Sequence, residues 1–253
     1  MSETRAVGRF LPEMTWIEAR DTFARGAVGL LPIGAVEAHG PHLPLGTDVM
    51  LSFELVNRVA VALAADVETV ALPPIIFSVA ECAASFPGSI SVPPGAFREI
   101  LRSVLESLGR GGLRFVALLN NHLEPEHVAA LADAARGIAS PRVLFADHTR
   151  KPWALLLDDE FKSGDCHAGG YETSLRLASS GHARHVREDV ARSLPAVTID
   201  LVRKLRAGER SFPAMGATEA YCGEPATATA EHGEALWAAL VRMWTETIRE
   251  ALR

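Results

Sequence analysis

Residues 27–48 read AVGLLPIGAVEAHGPHLPLGTD, and this stretch is the strongest indication of the fold. Its first part, Ala27 to Val36, is a nearly continuous apolar run, which is typical of a strand buried on both faces of a parallel sheet. The two glycines and two prolines that follow indicate a loop. Apolar residues at helical spacing from Val49 to Ala64 then predict a helix that begins close to Asp48.

The same order of strand, loop and helix recurs along the chain. Further strands are predicted within 67–79, 114–119 and 142–146, and further helices over 95–108, 125–138, 172–178 and 230–252. This alternation predicts an α/β fold with a mainly parallel sheet and helices on both sides. In such folds the active site lies beyond the carboxyl ends of the strands.

The composition narrows the classes of function. The chain has 253 residues and a formal net charge of −6, and its Lys and Arg residues are not clustered with aromatics, so no nucleic-acid partner is expected. No signal peptide and no apolar run of about 18 residues is present, which predicts a cytoplasmic protein without a membrane partner. The three cysteines, at positions 82, 166 and 222, are expected to be buried thiols.

Two short segments place an imidazole and a carboxylate at the end of an apolar run. They are Glu37-Ala38-His39 and His122-Leu123-Glu124, and residues two apart in an extended chain point the same way. With Asp48 nearby, two nitrogen and three oxygen donors suit a pair of divalent ions that share a carboxylate. A buried Glu–His hydrogen-bond network is the alternative, whereas the zinc deaminase pattern is excluded because no Pro-Cys-x-x-Cys motif follows.

The stretch LLPIGAVEAHGPHLPLGTD at 30–48 resembles the signature of the creatininase (creatinine amidohydrolase) family. The segments FPGSISV at 86–92, NNHLEP at 120–125 and HAGGYETS at 167–174 are similar to that family's later blocks, in the same order. A chain of 253 residues is expected to form a single domain over residues 1–253. The resemblance implies that this domain is creatininase-like, with a three-layer α/β/α sandwich. It also implies a binuclear zinc or manganese site, hydrolysis of a carbon–nitrogen amide bond, and a homo-oligomer, often a hexamer. Such mixed ligands accept Fe²⁺ or Co²⁺ as well.

The resemblance also implies roles for the metal ligands. Glu37 and His122 would hold one ion, His39 and Glu124 the other, and Asp48 would bridge them. Two close divalent ions lower the pKa of a shared water toward neutrality, so a bridging hydroxide would attack the amide carbon.

Three residues are the catalytic candidates by the same resemblance: His167, Glu172 and Glu124. His167 matches the family's catalytic histidine and would give a proton to the leaving nitrogen. Glu172 would orient His167 or contact the substrate.

The substrate is less defined than the metal site. Family members that hydrolyse creatinine carry a tryptophan where this chain has Ser163, which argues against creatinine. Trp153 offers an aromatic wall or pins its loop. A small cyclic amide, lactam, formamide or ureido compound is the favoured substrate. The alternatives are a metallopeptidase-like enzyme that trims a short peptide, and a non-catalytic protein whose metal only shapes a binding site.

The remaining histidines have weaker signals. His42 follows Glu37 and His39 in one loop, which we call the ligand loop. His42 either holds this loop in place for the ligands or simply packs within it. His127 is expected on the surface of a helix or behind the ligands. No motif surrounds the histidines expected at the surface, which are His182, His185 and His232.

Overall fold

The computed structural model describes residues 8–181 and 185–253. Within these residues, five parallel strands form one sheet: β1 (Arg9–Phe10), β2 (Val28–Ile33), β3 (Thr69–Ala71), β4 (Phe115–Asn120) and β5 (Arg142–Leu144). Their order in the sheet is β1-β3-β2-β4-β5. The central strands β2 and β4 pair along their whole length, from Val28 opposite Phe115 to Ile33 opposite Asn120. The predicted parallel sheet is therefore confirmed.

Helices cover both faces of the sheet. In the described part of the chain they are α1 (Trp16–Ala24), α2 (Thr47–Leu63), α3 (Pro94–Arg110), α4 (Pro125–Ala135), α5 (Asp159–Ser163), α6 (Gly170–Leu177), α7 (Glu188–Ser193), α8 (Leu201–Arg206), α9 (Phe212–Met215) and α10 (Ala230–Ala251). No described helix has both the length and the apolar character that crossing a membrane requires.

Alternate residues of the buried strands point into two separate cores. Leu30 of β2 belongs to one core with apolar residues of α2, α6 and α10. Its neighbour Leu31 belongs to the other core, with apolar residues of α1, α3 and α4. The sheet therefore lies between two helical layers, which confirms the α/β/α sandwich. Cys82, Cys166 and Cys222 are buried free thiols, as expected.

The strands are shorter than the apolar runs that predicted them. The run over 67–79 contains only the three residues of β3, because Pro73 and Pro74 have no N–H group to donate to a neighbouring strand. Pairing with β2 resumes beyond them, where the N–H of Ile75 donates to the carbonyl oxygen of Pro32 over 3.0 Å. The helices agree with their predicted ranges to within a few residues.

The close approach of α10 to α6 requires a glycine. A Cβ added to Gly233 would lie 2.0 Å from the carbonyl oxygen of Ser174 and 2.7 Å from Cβ of Ala178. We expect Gly233→Ala to lower the free energy of unfolding by about 1–3 kcal/mol, since the helices must separate. Gly95→Ala on α3 is the matched control: no described residue lies within 4 Å of the added Cβ, so it should raise stability by about 0.4–1 kcal/mol. Urea unfolding measures both, and equal effects would contradict this packing.

Candidate metal centre

The candidate site forms where the neighbouring strands β2 and β4 end. Ser52 of α2 joins these two ends, because its hydroxyl donates to the carbonyl oxygen of Ile33 over 2.6 Å and accepts the N–H of Asn121 over 3.1 Å. Glu37 and His39 follow β2, and His122 and Glu124 follow β4. Asp48 lies in the first turn of α2. All five predicted ligands are buried.

Their side chains converge in two groups around Asp48. Nδ1 of His122 lies 3.2 Å from Oε1 of Glu37 and 3.0 Å from Oδ2 of Asp48. Nε2 of His39 lies 3.1 Å from Oδ1 of Asp48 and 3.5 Å from Oε2 of Glu172. Asp48 therefore presents one carboxylate oxygen to each imidazole, which is the arrangement of a bridging ligand.

Backbone carbonyl groups orient both imidazoles. Nε2–H of His122 donates to the carbonyl oxygen of Val79 over 2.6 Å, and Nδ1–H of His39 donates to that of Glu37 over 3.0 Å. The nitrogen of each ring that faces the carboxylates is then the one that carries the lone pair in the neutral form. A lone pair this close to carboxylate oxygens requires a positive charge between them, either a proton or a metal ion.

Three further observations test whether these residues fit divalent cations. Oε2 of Glu37 is buried without a hydrogen-bond partner among the described residues. Burial lowers the pKa of His39, but the charge and hydrogen bond of Asp48 outweigh it and raise the pKa to about 10. For His122, burial is likewise outweighed by the charges of Glu37 and Asp48, which raise its pKa. The site thus draws positive charge, and its nitrogen and oxygen donors suit divalent ions.

The grouping of the ligands differs from the pairing that the resemblance implied. Donor atoms of Glu124 lie within 4.8 Å of those of Glu37 and His122, not in a group with His39. In the described residues the group that contains His39 and Asp48 is completed by Glu172. Oε2 of Glu172 also accepts the backbone N–H of Ala168 over 2.7 Å, so Glu172 contacts the residue after His167 rather than the His167 ring. Glu172 is therefore a further candidate ligand.

The backbone of residues 79–82 supports the ligands that follow β4. Besides the carbonyl oxygen of Val79, it supplies the N–H groups of Glu81 and Cys82, which donate to the two carboxylate oxygens of Glu124 over 3.3 and 3.2 Å. The hydroxyl of Ser91 holds this segment by accepting the N–H of Ala80 over 3.1 Å. The FPGSISV block thus serves the site indirectly. Sequence reasoning missed this support because backbone groups carry no residue-type signal.

Behind His122 lie two further polar side chains. Nδ2 of Asn120 donates to the carbonyl oxygen of His122 over 2.6 Å, and its Oδ1 accepts Nε2–H of His127 over 2.9 Å. The His127 ring is fully buried, with its centroid 4.7 Å from that of His122. A helix-surface place for His127 is therefore wrong, because its ring points inward between His122 and Phe97, and the alternative place behind the ligands is the one observed.

Asn120→Ala should weaken metal binding. The substitution removes the bond that holds the His122 backbone, and loss of a group behind a ligand typically costs about tenfold to hundredfold in metal affinity. Competition with a chelator of known affinity measures the change. Asn57→Ala is the matched control, because the buried Oδ1 of Asn57 has no hydrogen-bond partner within the described part of the chain. An equal loss in both variants would contradict a specific role for Asn120.

His167 lies beside the metal ligands with one nitrogen directed at them. Its Nε2–H donates to the carbonyl oxygen of Ala38 over 3.0 Å, and its Nδ1 lies 3.9 Å from Oε1 of Glu37. Its ring stacks on Phe212, with centroids 4.4 Å apart and planes inclined by 25°. Burial, reinforced by the charge of His39, lowers the pKa of His167 to about 4. The ring is thus neutral at pH 7, with the Nδ1 lone pair facing the site.

The other singled-out residues lie away from the ligands. His42 is buried and shares a hydrogen bond of 2.9 Å with the Thr173 hydroxyl, so it joins the ligand loop to α6. Trp153 packs against the core between the sheet and α10, which favours the loop-pinning alternative. His185 is exposed, and Nε2 of His232 lies 3.2 Å from the Asp158 carboxylate. His182 lies outside the described residues.

Fold and site together define an α/β/α protein with a candidate two-metal centre at the carboxyl edge of its parallel sheet. Residues 12–248 match the family model described as creatinine amidohydrolase. The chain belongs to the creatininase family and is a hydrolase that acts on carbon–nitrogen bonds.

Individual relatives support this membership. The mycofactocin precursor peptide peptidase of Mycolicibacterium smegmatis is 30% identical over 222 residues, which cover 87% of this chain and 83% of that protein. The creatinine amidohydrolase of Pseudomonas putida is 30% identical over 188 residues, covering 67% of this chain and 71% of that protein. The solved structure of a creatininase with a tryptophan-to-phenylalanine substitution superposes with a TM-score of 0.77 at 25% identity, over 96% of this chain and 98% of that one.

Proposed function

We propose that this protein is a metal-dependent amidohydrolase that cleaves the amide bond of a small cyclic amide, lactam, formamide or ureido compound. The observation that carries the proposal is the position of Asp48, whose two carboxylate oxygens each face a buried imidazole. Two solved relatives, each with a TM-score of 0.74 at 23% identity, are described as a manganese creatininase and as the Zn–Zn type of a mutant creatininase. We therefore propose Zn²⁺ or Mn²⁺ for this chain, with Fe²⁺ and Co²⁺ as further candidates.

Two sets of residues would hold the ions. Glu37, His122 and Glu124 would hold one, and His39 and Glu172 the other, each with one oxygen of Asp48. When bound, two such ions lower the pKa of a water that they share and polarise the amide carbonyl group.

His167 would transfer the proton. Because its Nε2–H is bonded to Ala38, proton exchange takes place at Nδ1, the atom that faces the ligands. Nδ1 accepts the proton that the attacking water loses and donates it to the leaving nitrogen. Stacking on Phe212 keeps the ring in this orientation between the two transfers.

Creatinine is not the substrate that we propose. The hydroxyl of Ser163, which stands where creatinine-hydrolysing members have a tryptophan, donates to the carbonyl oxygen of Glu160 over 2.7 Å. A small side chain bonded to its own helix offers no wall for a planar ring.

Peptide trimming is the second candidate function. It is supported by the M. smegmatis relative, whose name denotes a peptidase and which this chain matches over 83% of its length. Activity on short peptides, in the absence of activity on lactams, formamides and ureido acids, would favour it.

We also propose a homo-oligomer, with the hexamer as the specific expectation. Trp16 and Ile17 at the start of α1 leave 72% and 47% of their surfaces exposed, which is apolar area available for subunit contact. Light scattering of the purified protein tests this, and a monomer would contradict it.

The function is tested by screening the metal-loaded protein against cyclic imides, lactams, formamides, ureido acids and dipeptides. We expect hydrolysis of at least one class, its loss on chelation, and its recovery when Zn²⁺ or Mn²⁺ is restored. Full metal occupancy without hydrolysis of any class would overturn the proposal and favour a non-catalytic binding protein.

A further inference from the structure

A short segment after α8 lies over the rim of the candidate site. The backbone N–H of Phe212 donates to the carbonyl oxygen of Cys82 over 2.8 Å, and the Phe212 ring stacks on His167. Two residues earlier, Nε–H of Arg210 donates to Oε1 of Glu126 over 2.8 Å. Glu126 follows Glu124 by two residues at the start of α4. Arg210 therefore lies between the segment that carries Glu124 and the segment whose Phe212 ring stacks on His167.

Three hydrogen bonds hold the guanidinium group of Arg210 in place and leave part of the group exposed. Besides the bond to Glu126, its Nη1 donates to the carbonyl oxygens of Leu205 and Glu209 over 2.9 and 2.8 Å. Among the described residues, Nη2 has no hydrogen-bond partner, and 35% of the side chain is exposed. A guanidinium whose position is already set by three bonds loses little freedom when it binds an anion.

The positive charge of Arg210 interacts with residues of the candidate site. Its hydrogen bond to Glu126 is the main cause of its raised pKa, and the charge of Glu124 adds to the effect. Burial raises the pKa of the Cys82 thiol, and the positive charge of Arg210 opposes this rise. Arg210 is thus a fixed cation at the rim of a site whose candidate ligands include four carboxylates: Glu37, Asp48, Glu124 and Glu172.

We propose that Arg210 binds a carboxylate of the substrate through Nη2. The substrates are then acidic amides, such as N-formyl or N-carbamoyl amino acids, in which the carboxylate lies a few bonds from the amide that is cleaved. This proposal rests on the proposed function and narrows its substrate class. Arg210 acts here in specificity, not in the chemical step.

The test compares an acid with its neutral carboxamide: N-formylglycine against N-formylglycinamide, and N-carbamoylglycine against its amide. Release of formate or ammonia gives kcat/KM, and calorimetric titration of the same compounds into metal-loaded protein gives Kd. A hydrogen bond to a charged group is worth about tenfold to hundredfold in affinity, so the wild type should prefer each acid by that factor. In Arg210→Gln the preference should fall to within about threefold of unity, through KM rather than kcat.

Two variants complete the experiment. Arg192→Gln on α7 is the matched control, because it removes an exposed arginine that is paired with Glu188, and it should keep the full preference. Arg210→Lys keeps the positive charge but has fewer hydrogen-bond donors, so it should keep part of the preference for the acid. This variant also tests the proposal if Arg210→Gln proves unstable.

Equal binding of acid and amide by the wild type would overturn the assignment of Arg210, as would an unchanged preference in Arg210→Gln. Failure of the proposed function is a separate result, since it leaves the calorimetric preference measurable while none of the compounds is hydrolysed.

Discussion

Asp48→Asn should lower kcat by at least about a thousandfold, because Asp48 places one carboxylate oxygen against each of the two imidazoles. An amide has a single oxygen, and its NH₂ group donates hydrogen bonds and does not ligate a cation. One of the two groups therefore loses an oxygen donor, and metal content should fall from two ions per chain toward one. Two-metal stabilisation of a hydrolytic transition state is worth several kcal/mol, and about 4 kcal/mol corresponds to the stated factor.

Activity and metal content are to be measured on the same preparation, by steady-state kinetics and elemental analysis. Asp133→Asn is the matched control, since Asp133 on α4 is partly exposed and paired with Arg136 at 3.0 Å. It should leave both quantities unchanged. If Asp48→Asn retained two ions and more than about a tenth of the activity, the bridging role of Asp48 would be wrong.

His167→Ala should lower kcat by about a hundredfold to ten-thousandfold while two ions remain bound. The loss follows from the position of Nδ1, which faces the ligands while Nε2 is occupied by Ala38. The contrast with Asp48→Asn lies in the metal content, which separates a proton-transfer residue from a ligand. This contrast is needed because donor atoms of His167 also group with those of Glu37 and His39.

The measurements for His167→Ala are kcat, KM and the number of ions per chain. His185→Ala, which removes an exposed histidine, should behave as the wild type. Undiminished turnover in His167→Ala would exclude His167 as the proton carrier, and loss of an ion would make it a ligand.

The order of secondary structure elements was predictable because burial leaves a periodic record along the chain. The apolar run before Glu37 became β2, the run RFVALL became β4, and the helical spacing after Asp48 became α2. Strand ends were less predictable: β2 stops at Ile33 although the apolar run continues to Val36. An apolar residue remains buried in a loop as well as in a strand, so composition does not mark where pairing ends.

The five predicted ligands converge because each lies near the end of a buried strand or the start of a helix, and parallel strands bring such ends to one edge. Their grouping was not predictable. Glu172 comes near His39 because α6 begins beside the ligand loop, and Glu124 turns toward Cys82 because the loop after β3 donates the N–H groups of Glu81 and Cys82. Such choices depend on distances of a few ångströms between segments that are remote along the chain.

Fold class, the five predicted ligands and their position at the sheet edge thus follow from local patterns in the amino-acid sequence. Folding in three dimensions adds which carboxylate accompanies which imidazole, the stacking of Phe212 on His167, and the place of Arg210 at the rim. The difference has a physical cause. Periodicity reports which side chains leave water, whereas contacts between remote loops depend on how their backbones cross, and backbone N–H and C=O groups are the same in nearly every residue.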